Sequence, residues 1–380
     1  MPSLYLHIPF CEKKCLYCDF YSVENLSAMD GFLDALVAEI ALYSGYGKGR
    51  RFSTVFFGGG TPSLLQPEQL NVILSELRRH FDILPDAEVT LETNPGTVDA
   101  GKLSAYRDLG VNRVSIGIQS FHEDELEFLS RIHDGKDAVR CVVDARAAGF
   151  DNVSVDLIYS LPGQTRDRWE ANLRQAAELG PDHISAYSLI VEDQTPLARM
   201  VQAKLVSPNP SESEAGLYEF TMEFLEGRGY EHYEVSNYAH PGRRSRHNSA
   251  YWSHEDYLGF GPSAHSFWKS AVVPAGRRWW NIANIRTYCE RLDAGKLPVA
   301  NEEIVGGREL INERIFLGLR SDGLNLREAE RDFRFEFHAR QRELIKALID
   351  ENLAVLDEGS LRLTPRGYLL CDEISERLFV

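Results

Sequence analysis

Three cysteines, Cys11, Cys15 and Cys18, fall within eight residues in the spacing C-x3-C-x2-C. Thiolates are soft ligands that select zinc or an iron–sulfur cluster. Structural zinc closes with four ligands, usually as two cysteine pairs. The other cysteines, Cys141, Cys289 and Cys371, are scattered and supply no second pair. Three thiolates suffice for a 4Fe–4S cluster whose fourth iron stays open for a small-molecule ligand. A disulfide framework is disfavoured, because a chain of 380 residues buries a core without covalent staples. Cys141, Cys289 and Cys371 sit in helical patterns and read as small core residues.

Further residues with chemical potential recur along the first half. Gly58-Gly59-Gly60-Thr61-Pro62 allows close backbone approach and exposes N–H groups. It lacks the Gly-Lys-Ser/Thr of a nucleotide-phosphate loop and the G-x-G-x-x-G spacing. Glu92 suits an ammonium or a ribose hydroxyl, and Asp156 suits ribose hydroxyls. Gln119 and Arg131 suit a carboxylate, the arginine bidentately. Any one of these is explained by a helix cap or a turn. Five in succession at the ends of apolar runs, Cys11, the glycine loop, Glu92 with Asn94, Gln119 and Asp156, are not.

The positioning elements are legible around them. Apolar runs at 3–8, 54–57, 88–93, 113–118, 152–158 and 183–189 read as strands, with amphipathic helices near 30–44, 67–81, 99–108, 136–148 and 166–179. This alternation predicts an α/β fold, a parallel sheet curled into an open six-unit (β/α) partial barrel with its site at the carboxyl ends of the strands. Residues 1–190 form this unit. The stretch 191–300, rich in Pro, Gly, Tyr, Trp, Asn and His, reads as irregular, a region of long loops and short helices with room for extra strands. Residues 301–380 read as a helical, winged-helix-like domain, with helices near 306–319, 326–333 and 336–351 and a hairpin at 353–363. That tail carries 12 Lys/Arg against 17 Asp/Glu, and the whole chain has a net charge of −16. Both argue against nucleic acid as a partner and leave docking or lid duty for the tail. No apolar run approaches the ~18 residues of a membrane span. The first residues lack a signal-peptide pattern, so a cytoplasmic location is expected.

The cysteine spacing resembles the signature of the radical S-adenosylmethionine (radical SAM) superfamily. The stretch from Tyr5 to Cys11, the Gly-Gly-Gly-Thr-Pro loop, Gly117-Ile118-Gln119-Ser120-Phe121, residues 156–165 and residues 181–185 together resemble oxygen-independent coproporphyrinogen III oxidases and their paralogues. The resemblance covers nearly the whole chain. It implies that Cys11, Cys15 and Cys18 hold the 4Fe–4S cluster. It also implies that Tyr5, Tyr17, Gly59, Gly60, Thr61, Glu92, Gln119, Arg131, Asp156 and Ile190 hold SAM or a second SAM.

Two departures bear on the branch. The oxidases carry a further cysteine two residues after the third, where this chain has Phe20, and a long segment before the cluster motif, where this chain has ten residues. Both resemble the heme-chaperone branch. So does His247-Asn248-Ser249-Ala250-Tyr251-Trp252, which resembles that branch's heme-binding motif. The resemblance implies heme as a third ligand, with His247, Asn248, Tyr251 and Trp252 at its site. A neutral imidazole is a usual axial ligand and aromatics stack on the macrocycle. Arg243, Arg244 and Arg246 are expected at the propionates. His254 and His265 are rival ligands, whereas His7, His133 and His183 read as structural.

The expectation is therefore a heme chaperone that delivers heme to client hemoproteins, respiratory or otherwise membrane-associated, placing it peripherally at the inner face of the membrane. The alternatives are an oxygen-independent coproporphyrinogen III oxidase and a radical SAM enzyme on another substrate. The sequence leaves open whether SAM is cleaved, whether heme is held covalently, and whether the chain is a monomer or a dimer.

Overall fold

The computed structural model describes residues 1–273, 275–333 and 335–380. Six strands run parallel in chain order: β1 (Ser3–Ile8), β2 (Arg51–Gly59), β3 (Asp82–Thr93), β4 (Arg113–Gln119), β5 (Val153–Tyr159) and β6 (His183–Ser188). Each pairs with the next. Alternation along a strand decides what faces where. On β1, Leu4, Leu6 and Ile8 are fully buried in the main apolar core. Tyr5 turns the other way, toward Phe56 of β2. The concave side of the curled sheet is accordingly polar.

The expected helices are all present, as Met29–Leu42, Pro67–His80, Ala100–Asp108, Gly135–Ala147 and Arg166–Glu178. Their starts are written locally. Asp99 and Thr165 accept from backbone N–H groups three residues on, and Asp134 pairs with Asp137 in a reciprocal cap.

The stretch 191–300, expected to be irregular, supplies both margins of the sheet. β7 (Glu231–Glu234) and β8 (Asn237–Ala239) extend it antiparallel beyond β6. At the other margin β9 (Tyr257–Phe260) lies parallel to β1, and β10 (His265–Lys269), β11 (Gly276–Asn281) and β12 (Val299–Val305) continue as an antiparallel meander. The sheet thus has 12 strands, seven of them parallel neighbours. These short strands are hidden in sequence because glycines and polar loops interrupt them.

The tail has its own core, centred on Ile315, Leu319, Leu361 and Leu378. Helices Gly307–Leu319, Leu326–Phe333 and Ala339–Asp350 surround a three-stranded sheet of β13 (Leu324–Asn325), β14 (Ala354–Asp357) and β15 (Ser360–Leu363). The β14–β15 turn has Glu358 and Gly359 both at positive φ, the tight hairpin geometry that glycine favours.

Candidate functional site at the carboxyl mouth of the barrel

The loop after β1 carries the three cysteines. It is pinned where it leaves and returns to the sheet. Cys11 N donates to Val23 O at 3.0 Å, and Val23 N donates to Pro9 O at 2.7 Å. Cys18 N donates to Cys15 O at 3.2 Å, which closes a turn that brings these two thiols to one side. All three thiols are free and half-buried.

A ring of polar contacts ties this loop to three others. Thr61 Oγ1, after β2, donates to Cys11 Sγ at 3.7 Å and accepts from Asn94 Nδ2 at 3.0 Å. Asn94 Oδ1, after β3, accepts from Arg131 Nη2 at 2.7 Å. Arg131, after β4, also donates to Gly117 O at 2.7 Å and to Cys15 Sγ at 3.6 Å. The guanidinium thus lies against the thiols, as a site for anionic sulfur requires. Among the described residues no three His, Cys, Asp or Glu side chains converge on one ion. Three thiols with no fourth protein ligand among the described residues suit a cluster that takes one thiolate per iron.

The glycine loop is glycine by necessity. A Cβ on Gly60 would lie 2.6 Å from Phe10 O and 2.9 Å from Ile8 O. Gly59 has φ +109°, and its Cβ would strike the His7 ring at 2.7 Å. His7 is fixed in turn: Nε2 donates to Tyr21 O at 2.7 Å, so Nδ1 accepts from Tyr5 Oη at 3.1 Å. Histidine at position 7 is a buttress, as its sequence context indicates.

Below this rim stand the carboxyls. Glu92 accepts from Gly59 N at 3.3 Å, and Asp156 accepts from Ser115 Oγ at 3.1 Å. Both retain slight solvent contact yet are walled in by protein. Burial, reinforced by the charge of Asp156, pushes Glu92 up to about 8. Burial likewise raises Asp156, against the pull of Ser185, Arg113 and Ser115.

The remaining expected SAM residues are arranged loosely. Gln119 ends β4 at φ +68°. Tyr17 packs against Leu129, Ile158 and Leu161. Ile190 is 64% exposed, just beyond β6. Asn94, which with Glu92 ends the third apolar run, joins the site, as do Arg113 and Ser115. The signal for these last two is alternation: Arg113, Ser115, Gly117 and Gln119 occupy one face of β4, where an apolar strand would carry Val or Ile.

The residues expected at heme occupy the opposite end. His247 lies on the helix Arg246–Trp252, which seals the amino mouth of the barrel. Glu88 accepts from the backbone N–H groups of Arg246 and His247, both at 3.0 Å. The imidazole stacks on Phe56 at 4.8 Å, and its Nδ1 meets Thr54 Oγ1 at 2.7 Å. Its Nε2 is buried without a partner. Burial, with the nearby Arg113 charge, lowers His247 to about 3, so the ring is neutral. Tyr251 packs edge-on to His247, Asn248 N donates to Ser245 Oγ, and Trp252 is half-buried at the helix end.

The arginines expected at propionates are committed elsewhere. Arg243 faces Asp182, Arg244 bridges Glu231 and Asp322, and Arg246 donates to Asp86 O. His254 lies 3.0 Å from Glu313 of the C-terminal unit, off-line for a hydrogen bond but close enough for an ion pair. His265 is exposed and stacks on Trp280.

The two implied sites therefore fit their groups differently. The mouth suits a cluster with SAM: three accessible thiols, an arginine, a glycine cradle and two carboxyls converge there. The floor offers the right atom for an axial bond, a neutral orphaned nitrogen, but encloses it with no room for a macrocycle.

Comparison with known proteins agrees with the mouth. The radical SAM superfamily model matches residues 5–176, and a HemN C-terminal domain model matches residues 307–370. The chain is 35% identical to the heme chaperone HemW of Bacillus subtilis over 98% of both chains. It is 37% identical to the heme chaperone HemW of Mycobacterium tuberculosis over 99% of this chain and 94% of that one. The solved structure of the coproporphyrinogen III oxidase HemN from Escherichia coli, a radical SAM enzyme, superposes with a TM-score of 0.84. That match has 26% identity and covers 100% of this chain and 90% of the oxidase.

Proposed function

The chain belongs to the HemW family of radical SAM proteins, and from that premise we propose that it is a heme chaperone, which binds heme and hands it to client hemoproteins. The observation that carries this reading is the end-to-end match to relatives that are themselves heme chaperones. Phe20, standing where the oxidases have a cysteine, supports it. Phe20 is 64% exposed beside the cluster loop.

A 4Fe–4S cluster with SAM on its open iron would supply one-electron chemistry at the mouth. Cys11, Cys15 and Cys18 would hold the irons. Gly59, Gly60, Thr61, Arg131, Glu92 and Asp156 would hold the charged ends of SAM. Residues 1–190 do this cofactor work, the motif at 247–252 serves heme, and 301–380 holds the motif in place. The closed floor around His247 does not accommodate heme. The clients are membrane-associated hemoproteins, reached from the cytoplasmic side. No described helix is long and apolar enough to cross a membrane.

The test is a Soret titration of the cluster-loaded protein, followed by heme transfer to apo-hemoproteins in a membrane fraction. Saturable binding and transfer are expected, without 5′-deoxyadenosine release coupled to decarboxylation. Absence of heme binding, or decarboxylation of coproporphyrinogen III at a useful rate, overturns the reading.

A further inference from the structure

Arg113 opens β4, the strand between the one that bears Glu92 and the one that bears Asp156. Its register partner on β3 is Thr90, two residues below Glu92, and the next residue on its face, Ser115, holds Asp156. The side chain therefore lies in the barrel interior beneath both carboxyls. It is only 2% exposed, and its Nε has no hydrogen-bond partner. Among the described residues it forms no ion pair. A guanidinium cannot shed its proton at any ordinary pH. A buried, unpaired charge costs several kcal/mol, so an arginine kept there needs a reason.

The groups around the two carboxyls narrow that reason. Tyr5 faces them from β1, Tyr187 from β6, with Glu234 of β7 beside it, and Arg131 from the loop after β4, while His183, Tyr233 and His247 face Arg113 itself. Arg131 is committed to Asn94, Gly117 O and Cys15. Arg113 is the uncommitted positive charge among them. A protonated Glu92 could not pair with an ammonium, and a protonated Asp156 would lose half its capacity to accept ribose hydroxyls.

We propose that Arg113 is a positioning residue for SAM, the fixed positive charge that favours the ionised forms of Glu92 and Asp156 when the ligand binds above them. This rests on the reading of the mouth as a SAM site. Its effect on both carboxyls, lowering each against the rise caused by burial, agrees with the geometry.

The test measures SAM affinity of anaerobic, cluster-loaded protein by equilibrium dialysis from pH 6.5 to 9, for wild type, Arg113→Gln and Arg113→Lys. The result is read as the ratio of variant to wild-type Kd, which cancels titration of SAM itself. For Arg113→Gln the ratio should be about tenfold at pH 6.5, one unit of carboxyl shift, and should shrink toward one by pH 9. Arg113→Lys should stay near one throughout. A ratio near one for Arg113→Gln at every pH overturns the proposal, as does a pH-independent loss shared by both variants. If Arg113→Gln does not fold, Arg113→Lys decides, since a packing role predicts its loss at every pH. Failure of the wild type to bind SAM at any pH would instead overturn the SAM reading itself.

Discussion

At the carboxyl mouth of the barrel, loops after four strands bring thiols, glycines and a guanidinium to the rim, with two carboxyls from β3 and β5 below it. At the amino floor of the same barrel, one seven-residue helix caps the strands and turns its histidine inward onto Phe56 and Thr54. The mouth presents its donors at the rim, with the three thiols half-buried. The floor holds a ligand atom, Nε2 of His247, that lacks access. Burial acts on both but with opposite sign, since it disfavours whichever form is charged. It pushes the mouth's carboxyls toward the neutral acid and the floor's imidazole toward the neutral base. The mouth is thus built to receive charge, and the floor to exclude it.

The sharpest break would come from the cysteines. Cys11→Ala, Cys15→Ala or Cys18→Ala should each abolish the brown cluster absorbance of reconstituted protein while leaving heme affinity measurable. Persistence of the absorbance in all three would remove the metal assignment. Loss of heme binding in step with the cluster would show that mouth and floor are not separate sites.

The second contrast is a matter of protons. Glu92 rises from 4.5 to about 8 in the folded protein, so its contribution is present below pH 4.5 and is lost as pH rises through 8. His247 falls from 6.5 to about 3, so its contribution is present above pH 6.5 and is lost as pH falls toward 3. Each term slopes by about 1.4 kcal/mol per pH unit in its window, and between pH 4.5 and 6.5 the two cancel. Without the mouth's term, Glu92→Gln should lose stability on acidification from pH 6.5 to 4.5, relative to wild type. His247→Gln should gain over the same range. Urea midpoints of the metal-free proteins across that range would check both signs. Parallel profiles for all three would mean that neither group is held as described.

These contrasts were unequally legible in sequence. The triad, the glycine loop, Glu92, Arg131 and Asp156 stand at fixed places in a repeating strand–helix text, and strand alternation carries them to one mouth. The parallel strands are apolar and long enough to read, and β1 was placed to the residue. The floor was not legible. His247 follows a Pro-Gly-Arg-Arg loop, and spacing alone could not show that Glu88, 159 residues earlier, anchors its backbone. The margins β7 to β12 were hidden for the same reason. Short strands pair with partners remote in the chain, and a local pattern does not encode the partner. Arg113 is hard to read in sequence, because a charged first residue of a strand is ordinarily exposed, whereas here it is buried in the barrel.

A smaller effect is expected from thinning the mouth without emptying it. Arg131→Gln removes the cation that spans Cys15, Asn94 and Gly117 O but leaves the thiols in place. Hydrogen bonds to charged groups contribute about 1.5–3 kcal/mol, so SAM affinity should fall by roughly 10- to 100-fold. Cluster absorbance should be retained, which separates this variant from the cysteine series. An unchanged Kd in calorimetry would take Arg131 out of the site.

The subtlest test addresses what keeps the floor shut. Glu313, on the first helix of the C-terminal unit, pairs with Arg278 at 2.7 Å and lies 3.0 Å from His254, just beyond the motif helix. Its neighbour Arg314 donates to Trp252 O at 3.3 Å. Two adjacent residues of one helix therefore clasp the end of Arg246–Trp252 from outside. Glu313→Ala unclasps His254 and leaves Arg278 with Glu303 alone. The local cost is about 1–2 kcal/mol, which corresponds to a roughly tenfold rise in opening. Amide exchange should quicken over 246–252 and stay unchanged in β2 and β3, and heme association should quicken by a similar factor. Faster exchange without faster heme uptake would mean that heme enters elsewhere. Unchanged exchange would mean that Glu88 and Thr54, from inside the barrel, hold the floor by themselves.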